Sequence, residues 1–200
     1  MKHYPDELNV QFANGPLINL LKEEQPTSYV EVGTYEGHTA QHVLKEMPAG
    51  GKMYLLDFED KYEKVVQRLK VTWRDDVEVM WGGNSDKTYD SYNWTLSQMI
   101  DDGVKLDFAF IDGAHTLALD GLAFALIDVM LQPGGVVCFD DYGWTLDTSK
   151  FMSREAYPAT DEQYTREQQA DTQVARMIRQ LVRTRDDYEE IIPNFAFRKR

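Results

Sequence analysis

Short apolar runs, each closed by glycine or aspartate, alternate along this chain with longer stretches whose apolar residues recur at helical spacing. That alternation is the pattern of repeated βα units around a largely parallel sheet. The runs predict strands near Ser28–Val32, Lys52–Phe58, Val77–Trp81, Leu106–Ile111 and Val136–Phe139, and the stretches between them predict helices over about 37–47, 61–73, 86–101 and 117–131. An opening helix from Pro16 to Glu24 carries Leu17, Ile18, Leu20 and Leu21 at helical spacing. It stops before Pro26, because the residue preceding a proline avoids the helical region.

From Tyr142 to about Gln169 the sequence turns polar and loses any apolar period, which predicts a long loop or lid over 143–169. Order resumes where Val174, Met177, Ile178, Leu181 and Val182 mark a helix face. Tyr188–Ile192 and Phe195–Lys199, parted by Pro193-Asn194, then predict a closing hairpin. Two hundred residues with 42% hydrophobic content are enough for one core, so residues 1–200 are expected to form one α/β domain with 1–27 as a helical cover.

A formal charge of -13 disfavours phosphate backbones and anionic membrane surfaces as partners. The arginines near the end, from Arg176 to Arg200, read as a solvated helix face. Cys138 is the one cysteine, set in an apolar run, so no intrachain disulfide is available and a reducing cytoplasm fits. The amino terminus lacks the apolar core of a signal peptide, and no apolar run is long enough to span a bilayer. A soluble, cytoplasmic protein without membrane or nucleic-acid partners is the expectation.

Chemistry first suggests itself after the first strand, at Glu31-Val32-Gly33-Thr34-Tyr35-Glu36-Gly37-His38-Thr39. Glycines there allow a tight turn and a close approach of a ligand to the backbone before a helix begins. The spacing ExGxxxG differs from the dinucleotide GxGxxG, and no Tyr-x-x-x-Lys accompanies it, which argues against a nicotinamide dehydrogenase. Asp57 closes the second strand, where a carboxylate can accept hydrogen bonds from ribose hydroxyls. The bland alternatives are that Glu31 caps the turn and Asp57 begins a loop.

Tyr29–Thr39, Leu55–Asp57, Asp107–His115 and Leu131–Tyr142 resemble successive landmarks of class I S-adenosylmethionine-dependent methyltransferases. The resemblance implies a doubly wound, Rossmann-like sheet of seven strands with an antiparallel last strand. It implies Glu31 near the cofactor's methionine amino group, Gly33, Thr34 and Gly37 in the turn against the cofactor, and Asp57 on its ribose. Gly83-Asn84-Ser85 resembles a Gly-Asp-Ser beside adenine in many relatives, with Asn84 replacing the charged acceptor. A homodimer is a further family-based expectation.

The fourth strand ends in Ile111-Asp112-Gly113-Ala114-His115 and the fifth in Asp140-Asp141-Tyr142, so both deliver carboxylates to the sheet edge where ligands bind. In the strand order that the resemblance implies, Asp112, Asp140 and Asp141 meet beside the cofactor's methyl group. A hard divalent cation such as Mg²⁺ would relieve their repulsion and leave positions open for acceptor oxygens. The two segments resemble those of metal-dependent O-methyltransferases, in particular the branch that modifies macrolide sugars. There His115 stands where the catechol-modifying members carry a lysine base. The resemblance implies O-methylation of a small hydroxylated acceptor, such as a sugar or natural product, with Asp112 and His115 catalytic. The alternatives are that Asp140 or Asp141 caps the turn before Gly143, and that His115 caps the next helix or bonds a ligand carboxylate. Trp144, Tyr157 and Tyr164 would wall the acceptor or simply tether the lid, and His38 and His42 read as ordinary helix residues. Two rivals are a metal-independent methyltransferase and a cofactor-binding protein without turnover.

Overall fold

The central strands read as unbroken apolar runs because the sheet is buried on both faces. In the computed structural model, which describes residues 14–200, successive strand residues alternate between two cores. Val30, Val32, Ala109, Ile111, Val137 and Phe139 enter one, while Tyr29, Phe108, Phe110, Val136 and Cys138 enter the other.

Seven strands lie in the order β3-β2-β1-β4-β5-β7-β6. They are β1 Ser28–Val32, β2 Lys52–Phe58, β3 Glu78–Asn84, β4 Leu106–Ile111, β5 Leu131–Phe139, β6 Tyr188–Ile192 and β7 Ala196–Lys199. The first five are parallel, and β7 runs antiparallel to both β5 and β6. The antiparallel closing hairpin therefore stands as expected.

Helices α1 (Gly15–Glu24), α2 (His38–Glu46) and α3 (Tyr62–Leu69) supply one core, and α4 (Tyr92–Asp101) and α5 (Leu117–Met130) the other. From β1 the chain winds to β3 and then returns to place β4 on the other side of β1. The crevice beyond Val32 and Ile111, which are in register, is thus the point where strand order reverses and ligands bind in such sheets.

Several boundaries differ from the expectation. The third strand runs on to Asn84, so Gly83 and Asn84 pair with Asp57 and Phe58 and belong to the strand. The helix predicted over 86–101 begins at Tyr92. The Asp90 carboxylate accepts hydrogen bonds from the Ser85 amide and hydroxyl at 2.8 and 2.6 Å, and the Ser91 side chain caps the new start. The helix predicted to Thr72-Trp73 ends at Leu69. The fifth strand begins at Leu131, with an irregularity in its pairing to β4 that absorbs the Pro133-Gly134-Gly135 stretch.

The polar segment is not a plain loop. It contains α6 (Thr160–Gln163) and α7 (Arg166–Ala170), then joins α8 (Gln173–Met177), which continues as a π-helical turn over Ile178–Val182. Gln169 is buried there and donates to Asp161 and to the Tyr164 carbonyl. The expectation for the amino terminus falls on residues 1–13, outside the described residues. Among the described residues no helix is long and apolar enough to cross a membrane.

Candidate active site

At the end of β1 the chain must turn within hydrogen-bonding distance of two neighbouring strands. The Gly33 amide donates to the Leu56 carbonyl at 2.9 Å, and the Asp112 amide to the Val32 carbonyl at 2.9 Å. Gly33 has φ +85°, and a Cβ there would lie 2.0 Å from the Asp112 carbonyl oxygen, so glycine is required. Gly37, at φ +76°, opens α2.

Asp57 at the end of β2 accepts from the Tyr35 and Phe58 amides, the latter at 2.7 Å, which aims the carboxylate across the Gly33 turn. Burial raises its pKa, and the two amides act against that rise. Glu31 is 1% exposed and accepts a 2.7 Å hydrogen bond from the Tyr29 hydroxyl. Its pKa is pushed up to about 8 by burial, with the Asp57 charge adding to the rise.

Asp112, Gly113, Ala114 and His115 follow β4, and Asp140 and Asp141 follow β5. Donor atoms of Asp112, His115 and Asp141 all lie within 4.8 Å of one another. His115 Nε2 is 3.3 Å from Asp141 Oδ2, the His115 ring lies 4.9 Å from the Trp144 ring, and Nδ1 is buried without a partner among the described residues. His115 and Asp141 both adopt φ +56°, an unusual conformation for residues other than glycine and one that turns both side chains to a shared point. Burial holds the Asp112 carboxyl well above the usual carboxylate range, and the Asp140 and Asp141 charges add to this.

Asp140 takes a different part. Its Oδ2 accepts from Asn14 Nδ2 at 2.9 Å and its Oδ1 from the Asp141 amide at 2.8 Å. The converging set is therefore Asp112, His115 and Asp141, with Asp140 beside it and bound to the start of α1.

A cavity of about 1140 Å³ opens over this edge. It exceeds the ~300–1,000 Å³ of a typical small-molecule site and has room for more than one ligand group. Gly33, Asp57, Asn84, Asp112 and His115 border it, as do Tyr35, Phe58, Tyr92 and Tyr157. Glu31 and Thr34 are buried and do not line it, and Ser85 turns its hydroxyl to Asp90. Tyr35 and Phe58, missed in the sequence, are half-exposed aromatics flanking the Asp57 carboxylate. Their signal was an aromatic residue inside the glycine turn, Tyr35, or directly after the acid near the end of β2, Phe58.

The strand order, the glycine turn after β1 and the acid closing β2 together define a class I S-adenosylmethionine-dependent methyltransferase. A family model described as a methyltransferase domain matches residues 30–142, more than half of the chain, and the chain belongs to that family. No curated protein sequence matches it. Among solved structures it is similar to the O-methyltransferase TomG from Streptomyces achromogenes, involved in tomaymycin synthesis and solved with S-adenosylmethionine. That pair shares 19% identity at TM-score 0.59, over 86% of this chain and 68% of the other. It is also similar to an O-methyltransferase from Bacillus cereus bound to S-adenosylhomocysteine, at 18% identity and TM-score 0.60, over 92% and 79%. The S-adenosylhomocysteine-bound methyltransferase PaMTH1 of Podospora anserina shares 15% identity at TM-score 0.63, over 92% and 76%.

Proposed function

We propose that this methyltransferase acts on a hydroxyl oxygen of a small acceptor, such as a sugar or natural product, with a divalent cation of the Mg²⁺ kind at its reaction site. The observation that carries the reading is the meeting of Asp112, His115 and Asp141 within 4.8 Å at the edge of the cofactor turn. Two carboxylates at one point suit a hard cation, and the orphaned Nδ1 of His115 marks the ring as held for more than packing.

Asp112 and Asp141 would hold the cation. When bound, it would lower the pKa of an acceptor hydroxyl. His115 takes the hydroxyl proton at Nε2, and Asp141, 3.3 Å away, stabilises the imidazolium that results. Glu31 meets the ammonium of the methionine moiety, Asp57 accepts from the ribose hydroxyls, and Asn84 closes the adenine end of the cavity. S-adenosylmethionine supplies an electrophilic methyl group on its sulfonium. The work of these residues is to hold the acceptor oxygen in line with that methyl.

The test is transfer of radiolabelled methyl to a panel of hydroxylated acceptors, with EDTA and with Mg²⁺ restored. Loss with EDTA and recovery with Mg²⁺ supports the proposal. Turnover indifferent to EDTA replaces it with a metal-independent enzyme, and cofactor binding without transfer to any acceptor replaces it with a binding protein.

A further inference from the structure

Asp120 is a carboxylate buried to 1% exposure in the largely apolar sequence of α5. A buried carboxylate is costly unless hydrogen bonds offset its desolvation, so what it bonds to shows its task. A capping acid normally binds amides inside the first turn of its own helix. Asp120 instead reaches back past the N-cap Thr116: Oδ1 accepts from the Ala114 amide at 3.1 Å and Oδ2 from the His115 amide at 2.8 Å. The first helical amide, that of Leu117, is satisfied by Gln173 at 2.9 Å. Asp120 is therefore free to shape the loop that carries His115.

Tyr92, from the first turn of α4, completes the arrangement. Its hydroxyl donates to Asp120 Oδ1, and its oxygen lies 3.3 Å from the Ala114 amide. The space is closed: a Cβ on Gly113 would come within 2.8 Å of both Tyr92 Oη and Asp120 Oδ1. Beyond the clamp, His115 sits at φ +56°, a conformation that persists only where the surroundings impose it.

We infer that Asp120 and Tyr92 are positioning residues that clamp the 113–115 turn and so set the His115 imidazole against Asp141 and Trp144. The inference rests on the functional reading of His115 given above. Neither residue touches the reacting atoms. Their role is to hold the backbone that aims the histidine.

The experiment compares Asp120→Asn, Tyr92→Phe and the control Asp128→Asn in the full chain. Asp128 lies on the same helix but serves Arg185 and Tyr188 at its far end. The readouts are nuclear Overhauser contacts between the His115 and Trp144 rings, Mn²⁺ affinity by electron paramagnetic resonance, and S-adenosylmethionine affinity by calorimetry. In Asp120→Asn at least one of the two loop amides faces a donor in place of an acceptor. The ring contacts should be lost and Mn²⁺ should bind about 10-fold more weakly, because His115 is the partner of Asp141 through Nε2 and losing a partner behind a metal ligand costs about that much. Tyr92→Phe should move both readouts in the same direction by less. Cofactor affinity should hold within about 3-fold in Asp120→Asn, and Asp128→Asn should lower thermal stability while leaving the ring contacts intact.

Unchanged ring contacts in folded Asp120→Asn and Tyr92→Phe would overturn the clamp. If Asp120→Asn does not fold, Tyr92→Phe decides alone. An Asp112→Asn variant with wild-type Mn²⁺ affinity would remove the metal reading, and the ring contacts would then decide the clamp by themselves.

Discussion

Gly33 and Asp112 stand back to back: a Cβ on the glycine would lie 2.0 Å from the Asp112 carbonyl oxygen and 2.6 Å from its carbon. The cofactor turn after β1 and the acid after β4 are thus one packed unit, and neither backbone can move without the other. Gly33→Ala should cost about 1–2 kcal/mol for its left-handed backbone and about as much again for the overlap. It should also abolish cofactor binding. Gly134→Ala is the comparison, with φ +87° and nothing within 4 Å of the added methyl. It should show only the backbone cost and bind the cofactor normally. Denaturant titration and calorimetry on both variants separate the two, and normal cofactor binding by Gly33→Ala would sink the argument.

Asp57 spends hydrogen bonds on the Tyr35 and Phe58 amides yet keeps lone pairs facing the cavity. A ribose meeting them gains charge-assisted hydrogen bonds, worth roughly 1.5–3 kcal/mol each. Asp57→Asn should therefore weaken S-adenosylmethionine binding by about 10-fold or more. Calorimetric titration checks this, and an unaltered affinity would move the ribose elsewhere.

How far the sequence carries these results depends on the kind of signal each element leaves. Strands β1, β2 and β4 were legible because burial on both faces leaves largely apolar runs, and the closing hairpin because Pro193-Asn194 parts two short runs. The start of α4 was not legible. It is set by Asp90 capturing Ser85, a local bond between polar residues that leaves no apolar period. Helices α6 and α7 were lost for the same reason: Thr165 and Gln168 form a reciprocal cap, and the interior is held by the buried Gln169.

The residue types of the site and the meeting of Asp112 with Asp141 were readable, but not the backbone that brings it about. Asp112, His115 and Asp141 meet through backbone turned to positive φ at His115 and Asp141, and neither position carries the glycine that would advertise such a turn. Asp140, equally acidic in the sequence, is bound to Asn14, and a contact across 126 residues leaves no mark in local spacing. Asp120 did leave a trace, as the first acid in the apolar stretch from Leu117 to Ile127.

The split between the two neighbouring acids yields a prediction of its own. Asp141 converges with Asp112 and His115, whereas Asp140 stands outside that set, each of its oxygens accepting a hydrogen bond, from Asn14 and from the Asp141 amide. Asp141→Asn should weaken Mn²⁺ binding more than Asp140→Asn does. Asn14→Ala should behave like Asp140→Ala, because each removes the hydrogen bond between the two residues. Equal losses from Asp141→Asn and Asp140→Asn in a resonance titration would place Asp140 among the ligands on an equal footing.

Glu31 links cofactor binding to protons. Burial raises its pKa in the folded protein to about 8, against about 4.3 in an unfolded chain. Between those values the folded state holds a proton that the unfolded chain has released. The stability this contributes is complete below about pH 4 and is lost as the pH rises through 8. Glu31→Gln should flatten that part of the cofactor-free stability profile. A cationic amino group arriving beside the carboxyl favours its charged form, so S-adenosylmethionine binding at pH 7 should expel close to one proton from Glu31. Calorimetry in two buffers of different ionisation enthalpy counts that proton, and the count should drop by nearly one in Glu31→Gln while affinity falls. Identical counts in the two proteins would mean that Glu31 remains protonated in the complex and meets the cofactor as a neutral hydrogen-bonding group, or does not meet it.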